Sequence, residues 1–433
     1  MENRNNKNNI STIVNEGLCI SCGSCVGICP QKSLRMEETV SGLLHPSINS
    51  TKCNLCGLCL KICPGITLNE KYLKGNIDPF KGEYIDGYYG KAANKSDVLE
   101  SQSGGIVTAL MGFLLDNHEI DRCLVTKMPN DGSIRPVCYF ASTSQELFES
   151  RGSKYCPIAL NADLFKTSGE HKIGIVALPC HLHGILNILQ TSCKCLNNIK
   201  FVVGLLCDKV LSYKAMDHLI KQANVERQNI VSFEFRSKKW RGWPGDVCIH
   251  TKEKDVFLPK NERTMIKDVF TPPGCRLCFD KFNIFADVSM GDAWGLTKDK
   301  EGMSAIIVRT EQGKNLLLEA QKAGIINLNE IETEIIFRKQ GVEVRRKDWA
   351  IYMRLWQELS KTVPKFNINP KWHQTVDKQN KKLHLRKLKW SLDLVDIKSQ
   401  DKLNAKIAKR IIYLRVLRLP IIKSITKKLG LRI

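Results

Sequence analysis

The 433-residue chain is 43% hydrophobic, ordinary for a soluble protein with room for several domains, and no apolar run reaches the roughly 18 residues of a membrane span. Its formal charge of +22 would suggest a nucleic-acid partner if it were spread over a folded domain. From Lys361 onward, however, 20 Lys/Arg face 4 Asp/Glu, a net of +16; this leaves 46 basic against 40 acidic residues before it, a net of +6, and argues against nucleic acid.

The first nine residues are polar and Asn-rich, with no apolar stretch of the signal-peptide kind, so a cytoplasmic protein with reduced thiols is expected. Next comes Cys19-x2-Cys22-x2-Cys25-x3-Cys29-Pro30, repeated 34 residues later as Cys53-x2-Cys56-x2-Cys59-x3-Cys63-Pro64; together they take eight of the eighteen cysteines. Thiolates two and three residues apart fold around one cubic iron–sulfur cluster. The fourth Cys, held away by its Pro, reaches across a pseudo-twofold axis to the other cluster. The spacing therefore predicts two 4Fe-4S clusters with crossed ligands: Cys19, Cys22, Cys25 and Cys63 on one, Cys53, Cys56, Cys59 and Cys29 on the other. Zinc sites also use CxxC pairs, but they close at four ligands and rarely carry the three-Cys run plus Cys-Pro twice. Such a module moves single electrons, and ferredoxin or another redox protein is the expected partner.

Residues 1–70 thus read as a two-cluster ferredoxin-type module, and the Gly/Lys/Tyr-rich stretch 71–95 as a linker. An α/β pattern follows over 96–170 and 171–340. A Gly-opened helix (Gly105–Leu115) precedes apolar strand candidates at Cys123–Thr126, Ile173–Leu178, Phe201–Leu206, Ala286–Met290 and Ala305–Val308. Strands and helices alternate loosely, which predicts a mixed sheet covered by helices. The last segment, 341–433, is a Lys/Arg-rich helical tail. The fold class is α+β to α/β: a ferredoxin-like module fused to a mixed-sheet α/β core, with a basic helical tail.

Within the tail, Leu403, Ile407, Ile411 and Leu414 recur at helical spacing beside Lys402, Lys406, Lys409 and Arg410. Past Pro420 the pattern resumes with Ile421, Ile422, Ile425 and Leu429 beside Lys423, Lys427 and Lys428. This stripe suits an interfacial helix on an anionic membrane surface at the inner face of the membrane, where a lipid-linked substrate would be in reach. It equally suits a helix packed on the protein's own body or on a partner subunit.

A second thiol group lies in the core. Cys180 directly follows one strand candidate and Cys207 the next; if those strands are parallel neighbours, both thiols leave the sheet at one carboxyl edge, where α/β sheets place ligands. Cys275-x2-Cys278 adds a pair that would complete a four-thiolate site for a third 4Fe-4S cluster. The alternative is that Cys180 and Cys207 are small buried hydrophobes. Cys193-x-Cys195, Cys123, Cys138, Cys156 and Cys248 show no such pattern. No GxGxxG follows a strand, so a Rossmann dinucleotide site is not supported. Ser103-Gly104-Gly105, by contrast, opens a helix whose backbone N–H groups suit a pyrophosphate, with Thr108 adding a hydroxyl; Ser-Gly-Gly is also an ordinary helix start.

Several motifs run in order: Ser101-Gln102-Ser103-Gly104-Gly105-Ile106-Val107-Thr108, Gly152-Ser153-Lys154-Tyr155, Leu178-Pro179-Cys180, Gly204-Leu205-Leu206-Cys207, Phe235-Arg236-Ser237-Lys238, Cys275-x2-Cys278 and Gly291-Asp292-Ala293-Trp294-Gly295. Over roughly residues 10–340 the chain resembles the beta subunit family of coenzyme F-420 hydrogenase and dehydrogenase, iron–sulfur flavoproteins in which FAD sits beside a cluster. The resemblance implies FAD contacts at Ser103, Gly104, Gly105, Thr108, Gly152, Ser153, Lys154, Tyr155, Asp292 and Trp294. It also implies the third cluster on Cys180, Cys207, Cys275 and Cys278. Lys154 would set a positive charge near the flavin or a substrate acid group, and His181, flanking the Cys180 loop with His183, would supply a proton. A structural His at the sheet edge is the alternative. Where the family usually has Pro-Cys-Gln, this chain has Pro179-Cys180-His181, so the substrate does not carry over. The implied activity is electron relay through FAD between a one-electron carrier and a two-electron small-molecule or lipid-linked substrate, a deazaflavin among them. The other reading is an electron-transfer subunit of a larger hydrogenase or dehydrogenase without its own substrate. Either reading admits a homo-oligomer.

Overall fold

A computed structural model describes residues 9–68, 73, 77–165, 171–191, 196–366, 368 and 378–417; Cys193, Cys195 and the stripe beyond Pro420 lie outside them. The strands are β1 (Leu34–Glu38), β2 (Leu44–Ile48), β3 (Gly87–Ala92), β4 (Arg122–Lys127), β5 (Val137–Ala141), β6 (Ile173–Ala177), β7 (Ile199–Leu205), β8 (Ile230–Ser237), β9 (Asp246–Thr251), β10 (Asp255–Leu258), β11 (Val288–Asp292), β12 (Ser304–Val308) and β13 (Ile326–Glu330). Eight of them form one mixed sheet in the order β13-β3-β12-β11-β7-β6-β4-β5. Its centre is parallel, β4 with β6, β6 with β7, and β7 with β11. Antiparallel strands finish both edges. Parallel strands bury both faces, which is why β6 (IGIVA) reads as a continuous apolar run; the antiparallel β12 (SAIIV), interior to the same sheet, is buried along its whole length as well.

The register Ala177↔Gly204 aligns the ends of β6 and β7, so the chain leaves both strands at the same carboxyl edge, as the sequence predicts. The Ile106–Asp116 helix packs Ile106, Leu110, Met111, Leu114 and Leu115 onto the sheet, one face of a 3.6-residue period. β11 begins two residues later than expected and extends to Asp292, because Ala286 closes a turn onto Asn283 O (3.2 Å).

Three segments differ from the sequence reading. The stretch 71–95 is not only a connection: β3 runs inside the sheet between β12 and β13. Its Gly-Tyr-Tyr-Gly-Lys-Ala sequence lacks the apolar run that marks a buried strand, and its glycines read as loop signals. The β8–β9–β10 sheet was likewise not anticipated. Finally, the tail belongs to the body. The Val342–Glu358 helix buries Trp349, Tyr352 and Trp356 in a core shared with Ile10, Ile13 and Leu18 of the N-terminal module. The Gln400–Leu417 helix buries Leu403, Ile407 and Ile411 in a cluster with Met265, Ile266, Val269 and Phe270. The apolar stripe first read as a candidate membrane face is thus spent on the protein itself over 400–417. No described helix is long and apolar enough to cross a membrane.

Candidate functional site

The eight N-terminal cysteines come together in two groups. Cys29, Cys53, Cys56 and Cys59 line one small cavity with Asn9 and Ser33, and Ser33 N donates to Cys29 Sγ at 3.4 Å. In the other group, burial raises Cys25 and Cys63 well above the usual thiol range, and Cys22 and Cys19 push each of them further up. The crossed partition expected from the spacing is compatible with these neighbours, and Cys59 lies close enough to act on both Cys25 and Cys63 as well. Cys56 is exposed, so the first group reaches the surface.

The core thiols form a third group at the carboxyl edge of the sheet. Cys180 is raised by burial and then by Cys207, Cys22, Cys275 and Cys278. Burial lifts Cys207 and Cys278 up to about 12, with Cys275 pushing the same way on both. Crowded thiols that resist ionising singly suit a polynuclear iron centre that takes up their charge together. The groups also abut. Cys180 feels Cys22; Cys19, lifted by burial up to about 12, feels Cys275. Arg345, from the segment read as tail, donates to Cys278 O (3.3 Å), Cys207 O (3.3 Å), Asp208 O (2.7 Å) and Asp208 Oδ1 (3.0 Å). Against the upward push of burial it lowers Cys207, Cys275 and Cys278, so its charge favours their thiolate forms and offsets the negative charge gathered there.

Beside this group a cavity of about 600 Å³ opens, within the usual range for a cofactor pocket. Its wall includes Ser103, Gly105, Thr108, Gly152, Ser153, Lys154, Tyr155, His181, Cys207, Asp292 and Trp294, so the structure gathers most of the FAD candidates onto one surface. Gly104 is the exception. Its N–H donates to Ser304 Oγ (3.2 Å), and an added Cβ would meet Gly90 O at 2.6 Å; it packs the loop against the sheet. Gly105 caps the Ile106–Asp116 helix in the left-handed conformation (φ 78°), and with Ile106, Val107 and Thr108 of the helix's first turn, where N–H groups lack intrahelical partners, it lines this cavity. Gln102 ties the two loops, its Oε1 accepting from Ser153 N at 2.7 Å.

Two residues expected to act chemically are instead committed to the scaffold. The ammonium of Lys154 donates to Thr126 O (2.9 Å), Ser150 O (2.5 Å) and Arg151 O (3.1 Å). Its three protons are used, and burial pushes it down to about 7. His181 accepts from Leu178 N at Nδ1 (3.3 Å) and meets Ile158 O at Nε2 (3.0 Å); burial holds it near 4. A ring with both nitrogens on backbone groups fixes the Cys180 turn, and that arrangement favours the structural alternative for His181. His183 pairs with Asp280 Oδ2 (2.9 Å) and stacks on Phe279. Asp292 lies on the wall, but both carboxylate oxygens accept from Arg236 (2.7 and 2.8 Å), and Trp243 Nε1 donates to one of them (3.2 Å). Trp294 packs against Trp243 with centroids 4.4 Å apart and the rings tilted by 40°, and it stays 41% exposed at the rim, where a ring-shaped ligand can reach it.

The sequence reading missed the cations. Lys209, Lys260, Arg263, Lys267 and Lys281 line the cavity on the side of Cys207. Burial pushes Lys209, Lys267 and Lys281 down to about 8, a cost that an anionic ligand would offset. Lys260, Arg263, Thr264 and Lys267 follow each other at helical spacing on the Lys260–Phe270 helix, a signal present in the sequence. A pyrophosphate at the Gly105 helix start and rings between Tyr155 and Trp294 fit this donor set.

Profiles of the coenzyme F-420 hydrogenase/dehydrogenase beta subunit match the chain in two parts, the N-terminal part over residues 87–166 and the C-terminal part over 170–334; a 4Fe-4S dicluster domain matches 18–65. The coenzyme F-420-dependent sulfite reductase of Methanocaldococcus jannaschii is 26% identical over 78% of this chain, which spans 52% of that protein. The coenzyme F-420 hydrogenase subunit beta of Methanosarcina barkeri is 25% identical over 62% of this chain and 89% of its own length. In the xenon-derivatised F-420-reducing nickel–iron hydrogenase complex of Methanosarcina barkeri, one chain shares the fold with a TM-score of 0.52. The two are 20% identical, over 67% of this chain and 98% of that one.

Proposed function

The chain belongs to the coenzyme F-420 hydrogenase/dehydrogenase beta subunit family of electron-transfer oxidoreductases, with an iron–sulfur dicluster domain in front, and on that premise we propose that it relays electrons between a one-electron carrier, ferredoxin or a similar redox protein, and an anionic two-electron substrate through FAD. The observation that carries this reading is the continuity of the path. The Cys29/Cys53/Cys56/Cys59 group reaches the surface, the Cys19/Cys22/Cys25/Cys63 group abuts Cys180 and Cys275, and Cys207 is itself part of the cavity wall.

When bound, FAD supplies the conversion between single electrons and a hydride. The chain's own residues hold and screen. The Gly105 helix start and the Lys/Arg wall neutralise phosphate charge. The Arg236–Asp292 pair fixes the floor through Tyr155 (3.1 Å) and Gln102 O (3.2 Å), and Trp294 covers the rim. Arg345 offsets the negative charge of the third thiol group and so favours its thiolate forms. The same cations suit a deazaflavin or another acidic substrate, as the relatives' names suggest for their own reactions.

The visible spectrum of anaerobically purified protein tests this reading. A brown protein that releases FAD on acid treatment is expected; a colourless protein, or a brown one that releases no flavin, would overturn it.

A further inference from the structure

In the β8–β9–β10 sheet, alternation sends Phe233, Phe235, Val247 and Ile249 into an apolar core. The residues between them, Glu234, Cys248 and His250, therefore face the other way. Register completes the cluster: Glu234 lies opposite Cys248 on β8, and Asp255 opposite His250 on β10. The Cys248 thiol is fully buried and lies 3.8 Å from His250 Nδ1, which is 2.7 Å from Asp255 Oδ1; the three atoms all fall within 4.8 Å of one another. On the far side of the ring, Nε2 meets Glu234 Oε1 at 2.8 Å.

We propose that Cys248, His250 and Asp255 bind one zinc ion, with Glu234 orienting the imidazole and water completing the coordination. With Zn–S about 2.3 Å and Zn–N or Zn–O about 2.0–2.1 Å, the ligand edges of a tetrahedron are roughly 3.3–3.6 Å; Cys248 Sγ and His250 Nδ1 at 3.8 Å are near that spacing, while Asp255 Oδ1, 2.7 Å from Nδ1, must move back to admit the ion. A carboxylate on Nε2–H is the usual outer partner of a metal-bound His, and it directs Nδ1 to the ion. Binding displaces the Nδ1 proton and the thiol proton to water, and the ion's charge is met by the thiolate and Asp255. Sulfur, nitrogen and oxygen together favour zinc, which also outranks ferrous iron at such sites. The half-exposed Asp255 gives the ion a way in from solvent. The three ligands join β9 to β10, and the Glu234 contact ties that hairpin to β8, the strand that carries Arg236.

Zinc K-edge absorption and metal analysis on the full-length, cluster-loaded protein, equilibrated with micromolar zinc and desalted, test this. About one zinc per chain is expected, with a Zn–S shell near 2.3 Å. Cys248→Ala should lose it with iron content unchanged, and Glu234→Gln should bind zinc roughly 10- to 100-fold more weakly. No zinc retained by the parent protein, or equal retention by Cys248→Ala, would overturn the proposal. If Cys248→Ala does not fold, unchanged affinity in Glu234→Gln overturns it.

Discussion

Replacing Asp292 with Ala should lower the protein's stability by about 3–5 kcal/mol, the cost of leaving a buried guanidinium without its counter-charge. The Arg236 side chain is only 3% exposed, and Asp292 supplies a two-point pair that its remaining partners, Pro244 O, Tyr155 and Gln102 O, do not replace. The same loss frees the Trp243–Trp294 contact, because Trp243 Nε1 also rests on Asp292. Chemical denaturation of Asp292→Ala beside Asp292→Asn, which keeps one acceptor, measures the effect; the Asn variant should recover part of the loss. Equal stability of Ala variant and parent would mean that the pair does not organise the cavity floor.

Gly184→Val should separate the N-terminal module from the third thiol group. A Cβ at this position would sit 2.0 Å from Ser24 Oγ and 2.9 Å from Asn161 Nδ2, atoms of the contact that joins the module to the Cys180 helix. Asn161 Nδ2 bridges Ser24 Oγ (2.8 Å) and His181 O (2.7 Å), and Ser24 is buried without slack. Overpacking of this kind costs about 1–3 kcal/mol, and the strain falls between Cys22 and Cys180. Rapid-mixing reduction should show the N-terminal clusters reducing normally while the cofactor in the cavity reduces several-fold more slowly, since separation weakens electronic contact. Unchanged kinetics in a folded variant would place the electron path elsewhere. Because the module shares a core with Trp349 and Trp356, deleting residues 1–70 would expose apolar surface and is the poorer test.

Periodic and covalently dictated features were legible. Ligand spacing around a cubic cluster is a local constraint, so the cysteine repeat marked the 4Fe-4S dicluster domain directly. Apolar β6 and β7 were legible as buried strands of a mixed sheet, but that they are parallel neighbours, on which the meeting of Cys180 and Cys207 depends, came from the structure. What the sequence hid depends on tertiary partners. β3 is a strand because β12 and β13 flank it, although Gly and Tyr dominate its own residues. Lys154 and His181 have the right chemistry for catalysis, yet which carbonyls surround them is decided by chain segments far away. The basic, amphipathic 400–417 helix carries the composition of a membrane-surface helix, but the apolar face of the Lys260–Phe270 helix is its partner. The cationic wall was diluted among three segments, and a net charge of +6 over the first 360 residues conceals a local concentration.

Iron and FAD assays on anaerobic protein, parent against a Cys275→Ser/Cys278→Ser double variant, test most directly whether the third thiol group holds a cluster next to a flavin. About 12 iron and one FAD per parent chain, falling to about 8 iron in the variant with its N-terminal clusters intact by EPR, is the expected result. About 8 iron in the parent, or an unaltered iron count and EPR spectrum in a folded variant, would contradict it.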